Sequence, residues 1–179
     1  QDDIDVYFAT FAKSMAGIGA FLAGDKDVIQ FLQYNMRSQT FAKTLPMAMV
    51  KGALKRLDMI RTMPELKNKL WQNTNSLQSG LRSAGFDLGT TQTCITPVFL
   101  KGDVPEAMAL VHDLRENHGV FCSIVVYPVI PKGLIILRLI PTATHTQVDI
   151  DETIKAFTAI RELLENGTYK KIATTMMQE

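Results

Sequence analysis

The sequence predicts an α/β protein in two parts: a strand–loop–strand head, and a small α+β layer with helices on one side of a short sheet. Three observations carry that prediction. Two apolar runs, Val6-Tyr7-Phe8-Ala9 and Ala20-Phe21-Leu22-Ala23, flank a loop rich in small residues and read as buried strands. A long helical pair follows, with stripes at Val50, Ala53, Leu54, Leu57 and Ile60 and then at Leu66, Leu70, Thr74, Leu77 and Leu81. From Thr96 onward the order is strand, helix, strand, strand, helix, which packs as one sheet under one helical layer.

Taken in order, Asp25 stands where a helix cap is wanted, ahead of a stripe at Val28, Ile29, Phe31 and Leu32 that ends near Arg37-Ser38-Gln39-Thr40. Pro46 then forces Leu45 into an extended conformation. Pro64 interrupts the helical pattern and is tolerated as the start of the second helix, and Gly85 closes that helix as a left-handed cap. Trp71 reads as packing. Thr96-Pro97-Val98-Phe99-Leu100 is a strand, and Asp103 caps the next helix, with Pro105 in its first turn, a stripe at Ala107, Leu110, Val111 and Leu114, and Gly119 beyond its end. His112 and His118 stand in no ligand pattern. Strands are expected over 120–127 and 134–140, joined by Pro128-Val129-Ile130-Pro131-Lys132-Gly133. Thr146 and Asp149 have the spacing of a capping box, opening a helix through Ile150, Ile154, Phe157, Ile160, Leu163 and Leu164 that Gly167 stops. The polar tail after Gly167 reads as mobile.

Composition bounds the class of protein. Hydrophobic residues make up 46% and charged residues 21%, enough apolar material for a core in a globular chain. A net charge of +1 supplies no electrostatic footprint for nucleic acid. Cys94 and Cys122 fit no metal spacing and form no disulfide framework, which points to a reducing, cytoplasmic compartment. No apolar run reaches the roughly 18 residues of a membrane span. The chain opens on Gln1-Asp2-Asp3 and runs directly into a strand, which reads as a piece of a longer protein.

Two places carry chemistry. The loop Thr10-Phe11-Ala12-Lys13-Ser14 presents two hydroxyls and one lysine between strands. A lysine there is either a solvated charge or an amine that burial makes reactive toward carbonyls, because desolvation disfavours its charged form. Arg138 lies inside Ile-Ile-Leu-Arg-Leu-Ile, where a permanent charge needs an anionic partner or an exit to water. Its planar fork matches a carboxylate, whether a substrate's or that of a structural ion pair.

The wording Ala-Thr-Phe-Ala-Lys-Ser-Met-Ala-Gly-Ile-Gly-Ala-Phe resembles the cofactor-lysine loop of the α-oxoamine synthases, pyridoxal-phosphate enzymes of the aspartate aminotransferase fold type. The run Tyr127-Pro128-Val129-Ile130-Pro131-Lys132-Gly133, Arg138, and Pro141-Thr142-Ala143-Thr144-His145-Thr146 resembles the family's C-terminal signature. Within the family the lysine loop is closest to soluble bacterial serine palmitoyltransferases, and the Pro-rich loop is also similar to 2-amino-3-ketobutyrate ligases. The resemblance implies that residues 1–45 end the cofactor-binding large domain, 46–84 are connecting helices, and 85–179 are the small domain with a mainly antiparallel sheet. It makes Lys13 the lysine that bonds pyridoxal phosphate and Thr10 a ligand of the cofactor phosphate. The segment Phe41-Ala42-Lys43-Thr44 corresponds to one that brings a hydroxyl to the partner subunit's phosphate. Ala42, the best-aligned residue, has none, so Lys43 or Thr44 takes that role, or Lys43 is a solvated turn residue. Arg138 becomes the ligand of the substrate's α-carboxylate, and His145 a structural residue. Where some members carry another arginine, this chain has Val126-Tyr127.

The implied reaction is decarboxylative condensation of an amino acid with an acyl-CoA in a homodimer: L-serine with palmitoyl-CoA, giving 3-ketodihydrosphingosine. Glycine with acetyl-CoA, or the 8-amino-7-oxononanoate synthase reaction, is the alternative. The ring-stacking group and the carboxylate for the pyridine nitrogen precede the lysine loop in the family, so this stretch by itself is expected to be inactive. A non-catalytic α+β interaction domain is the reading from another class.

Overall fold

The structure, a computed structural model, describes residues 3–42 and 44–176. The chain divides into two compact units, Gln1–Pro64 and Glu65–Glu179.

In the first unit, strands β1 (Val6–Thr10) and β2 (Ala20–Gly24) pair antiparallel, with Val6 opposite Gly24 and Thr10 opposite Ala20. Helices α1 (Lys26–Asn35), α2 (Arg37–Phe41) and α3 (Met47–Thr62) follow. Asp25 occupies the cap position of α1, but its side chain makes no capping hydrogen bond. The expectation of two buried strands is corrected: Phe8 is 64% exposed and every residue of β2 is exposed. A two-stranded ribbon has two faces and no interior. Within this unit the α1–α2 region covers part of it: Ile29, Leu32 and Met36 share a shallow cavity with Phe8, Phe21 and Leu22.

The second unit begins with α4 (Pro64–Ser83), whose Leu77 and Leu81 are buried and whose end turns on Gly85 at φ 82°. Strand β3 (Thr96–Lys101), helix α5 (Val104–Glu116), strands β4 (Ser123–Val125) and β5 (Leu134–Leu139), and helix α6 (Gln147–Glu165) follow. The sheet order is β3-β5-β4, antiparallel throughout. Side chains alternate along β5: Ile135, Leu137 and Leu139 are buried, while Leu134 and Arg138 are exposed. The buried face meets Leu110, Leu114, Phe157 and Ile160 of the helices in one core, so the helices cover one side of the sheet as expected. Asp103 accepts from the Glu106 amide, and the Thr146–Asp149 capping box is complete.

Two expectations change here. Only 123–125 of the predicted 120–127 strand pairs, so β4 is a short edge strand. The tail after Gly167 is not loose: it forms α7 (Thr168–Met176), whose Tyr169 is 1% exposed and donates its hydroxyl to Asp113 of α5. A buried aromatic carrying a satisfied polar end supplies the docking that the tail's low apolar content did not advertise.

Candidate functional site

The predicted residues fall in both units. Thr10 and Lys13 share one loop of the first unit, which also contains Thr44, whereas Arg138 belongs to the second. Lys43 lies outside the described residues.

The lysine loop is held by its own backbone. Phe11 N–H donates to the Gly19 carbonyl at 2.8 Å, Gly17 N–H to the Phe11 carbonyl at 2.8 Å, and Ala16 N–H closes a turn on the Lys13 carbonyl at 2.9 Å. Gly19 has φ 109°, a conformation that calls for glycine, and a Cβ there would press on the Leu45 side chain, whose Cδ1 lies 2.8 Å from that position. That contact also brings the end of the 41–45 segment against the base of the loop, placing the exposed Thr44 one residue away from it.

Lys13 is exposed, and among the described residues its amine has no hydrogen bond or ion pair. The described residues therefore do not bury it, and the reactivity that burial confers is not supplied by them. Thr10 fits a phosphate less directly. Its hydroxyl donates to the Gly19 carbonyl at 3.3 Å and accepts from Ala12 N–H at 3.2 Å, so donation to a phosphate would replace the long bond to Gly19.

In the second unit Arg138 projects from the face of β5 opposite the core and lines a cavity of about 500 Å³ with Ser123, His118, Thr142 and His145. Its Nε donates to Ser123 Oγ at 3.1 Å. No carboxylate among the described residues lies within ion-pair distance of it, which removes a structural ion pair among them as the reason for its charge. Asp149 lines the same cavity but is engaged, taking Thr146 N–H at 2.7 Å; hydrogen bonds from the Thr146 backbone and side chain hold its carboxyl below the ordinary value. Burial pushes the Cys122 thiol up to about 11, so this neighbour is neutral at pH 7.

Two residues that pattern reading passed over organise this site. Asn73, fully buried on α4, donates to the carbonyls of Thr142 at 2.9 Å and His145 at 2.8 Å, clamping the turn after β5. Within that turn Thr142 N–H donates to His145 Nδ1 at 3.1 Å, so the ring shapes the backbone. Ser123 is the other, and its signal was a small hydroxyl within an apolar run. Among the described residues no group of His, Cys, Asp and Glu side chains could hold a metal ion.

The family model for class I and II aminotransferases matches residues 1–157. The chain is 65% identical over 179 residues to a cysteate-C-fatty acyltransferase of Capnocytophaga ochracea, covering 100% of this chain and 43% of that protein. It is 38% identical over 154 residues to a serine palmitoyltransferase of Sphingobacterium spiritivorum, covering 86% of this chain and 38% of the relative. The solved serine palmitoyltransferase of Sphingomonas wittichii superposes with a TM-score of 0.82 at 27% identity, over 92% of this chain and 41% of that one. A further solved serine palmitoyltransferase, holding pyridoxal phosphate, gives 0.80 at 28% identity, over 90% and 41%. The chain thus spans less than half the length of the relatives it matches. With both motifs present, the fold reproduced and the family model matched from the lysine loop into α6, the chain belongs to the class I and II aminotransferase family, in its α-oxoamine synthase branch.

Proposed function

We propose that the protein containing this chain condenses an amino acid with a fatty acyl thioester using pyridoxal phosphate, and that the amino acid is cysteate. The observation that carries this reading is the 65% identity, over all 179 residues, to a cysteate-C-fatty acyltransferase. The geometry supports the reaction class: a free amine at the tip of a tied loop, and an arginine without a carboxylate partner among the described residues beside a cavity.

In this reading residues 1–45 complete a cofactor-binding domain, 46–84 connect it, and 85–179 form the small domain. When bound, pyridoxal phosphate supplies an electron sink for the carbanion left by bond breaking at Cα. Lys13 provides the amine that holds the cofactor and afterwards moves the proton at Cα. Thr10, with Lys43 or Thr44 from the partner copy of a two-fold dimer, binds the phosphate. Arg138 orients the carboxylate that leaves as carbon dioxide. The Cα–carboxylate bond breaks, the bond from Cα to the acyl carbon forms, and the thioester gives up its thiol. A cytoplasmic location accords with the two free cysteines. No helix among the described residues is long and apolar enough to cross a membrane.

L-Serine is the second reading, favoured by the lysine-loop wording and by the 38% identical serine palmitoyltransferase; it would make the protein a sphingolipid-forming enzyme. The two substrates differ in a sulfonate against a hydroxyl. Assays of the full-length enzyme with cysteate, serine and glycine against palmitoyl-CoA and acetyl-CoA decide. Cysteate with the long thioester is the expected pair, since each buried methylene contributes about 0.8 kcal/mol. Preference for serine would move the reading to sphingolipid synthesis, and turnover confined to glycine and acetyl-CoA would overturn both.

A further inference from the structure

We infer that Ser123 is a positioning residue for the amino-acid carboxylate, acting through Arg138; this rests on the reading that Arg138 receives that carboxylate. The register of the sheet carries the argument. Ser123 of β4 stands directly opposite Arg138 of β5, so both side chains leave the same face, and Ser123 Oγ takes the Nε–H at 3.1 Å. On the other flank Arg138 stands opposite Pro97 of β3, which has no polar side-chain atom. Of its two directly paired neighbours, Ser123 alone can hold the guanidinium.

A guanidinium presents donors in a fixed plane, and occupying Nε fixes which edge remains. With that proton held by Ser123, the two terminal nitrogens stay available as a fork for a carboxylate, and Arg138 and Ser123 line one cavity of about 500 Å³. No acidic side chain among the described residues competes for the fork, and the adjacent Cys122 is a neutral thiol. Without the hydroxyl the long side chain samples more rotamers, and binding must then order it. The penalty falls on ligands that place an anionic group on the fork and not on amines that carry none. Because β4 is a short edge strand, a change at Ser123 leaves the core intact.

The test uses the full-length holoenzyme and follows the absorbance change of bound cofactor as amino acid is added without acyl-CoA. Ser123→Ala should raise the dissociation constant for the amino acid about tenfold, with unchanged melting temperature. Ser123→Thr, which keeps the hydroxyl, should stay within about twofold of wild type. Ethylamine, an amine with no anionic group, should bind the Ser123→Ala enzyme and the wild type equally. Arg138→Ala should raise the amino-acid constant well beyond the serine variant. Equal weakening for ethylamine, or an unchanged constant in Ser123→Ala while Arg138→Ala is impaired, would overturn the role of Ser123 alone. An unchanged constant in Arg138→Ala would overturn the carboxylate reading itself, and this inference with it.

Discussion

In residues 65–179, Leu81, Leu110, Leu114, Phe157 and Ile160 are wholly withdrawn from solvent, whereas no described residue of 1–64 is buried. Composition does not explain the contrast, since the first unit carries continuous apolar runs in both of its strands. The difference lies in periodicity. Strand β5 alternates, so one face suffices to bury it, and the helices of its own unit supply that face. Strands β1 and β2 have no polar side, and unbroken apolar strands are the pattern of a sheet covered on both faces. The second unit contains what its pattern requires; among the described residues the first supplies no such cover.

The largest effect that would sharpen this contrast is chemical. Lys13→Ala in the full-length enzyme should abolish borohydride-trapped cofactor and leave the unfolding of the second unit unaltered. Trapping on another lysine would defeat the assignment. Next come packing changes. Phe157→Ala should cost about 3–5 kcal/mol in denaturant unfolding of the second unit, while Phe8→Ala, at a position 64% exposed, should change the chain by less than about 0.5 kcal/mol. Equal losses would break the comparison.

A smaller effect is expected at the α5–α7 contact. Tyr169→Phe removes a hydroxyl bonded to the Asp113 carboxylate and should cost about 1–3 kcal/mol, read from the same unfolding curves. The smallest concerns pH. Burial alone would raise the Asp113 pKa, but hydrogen bonds from Asn117 and Tyr169, together with His118 and His112, outweigh it and hold the carboxyl below its ordinary value. A carboxylate lowered on folding stabilises the fold above its unfolded pKa of about 3.9, and this contribution is lost as pH falls through the lower, folded value. Asp113→Asn should therefore flatten the acid limb of stability below about pH 4.

Local chemistry was legible in the sequence wherever the signal itself was local. Asp103, the Thr146–Asp149 box and Gly85 each declare a helix end within a few residues, and each is where it was expected. The two motif regions were legible because their residue order is specific. What stayed hidden depends on partners far along the chain. Asn73 meets carbonyls about seventy residues away, and Tyr169 meets Asp113 across 56 positions. Ser123 gained its meaning only from the register with Arg138. The burial of β1 and β2 expected from their apolar runs is not met among the described residues, because an apolar run does not say what packs on it.

The Asn73 clamp has a consequence for which positions tolerate change. Its amide nitrogen donates to two main-chain carbonyls, those of Thr142 and His145, so that grip does not depend on the side chains between them. Ala143 can drift without loosening the grip, and Thr144 risks only its 2.8 Å contact with the Thr142 hydroxyl. Asn73 itself has almost no freedom: aspartate would remove both donors and bury a charge, and leucine would leave two carbonyls unanswered. A library randomised at 73 and 143 should therefore return nearly one residue at the first position and many at the second.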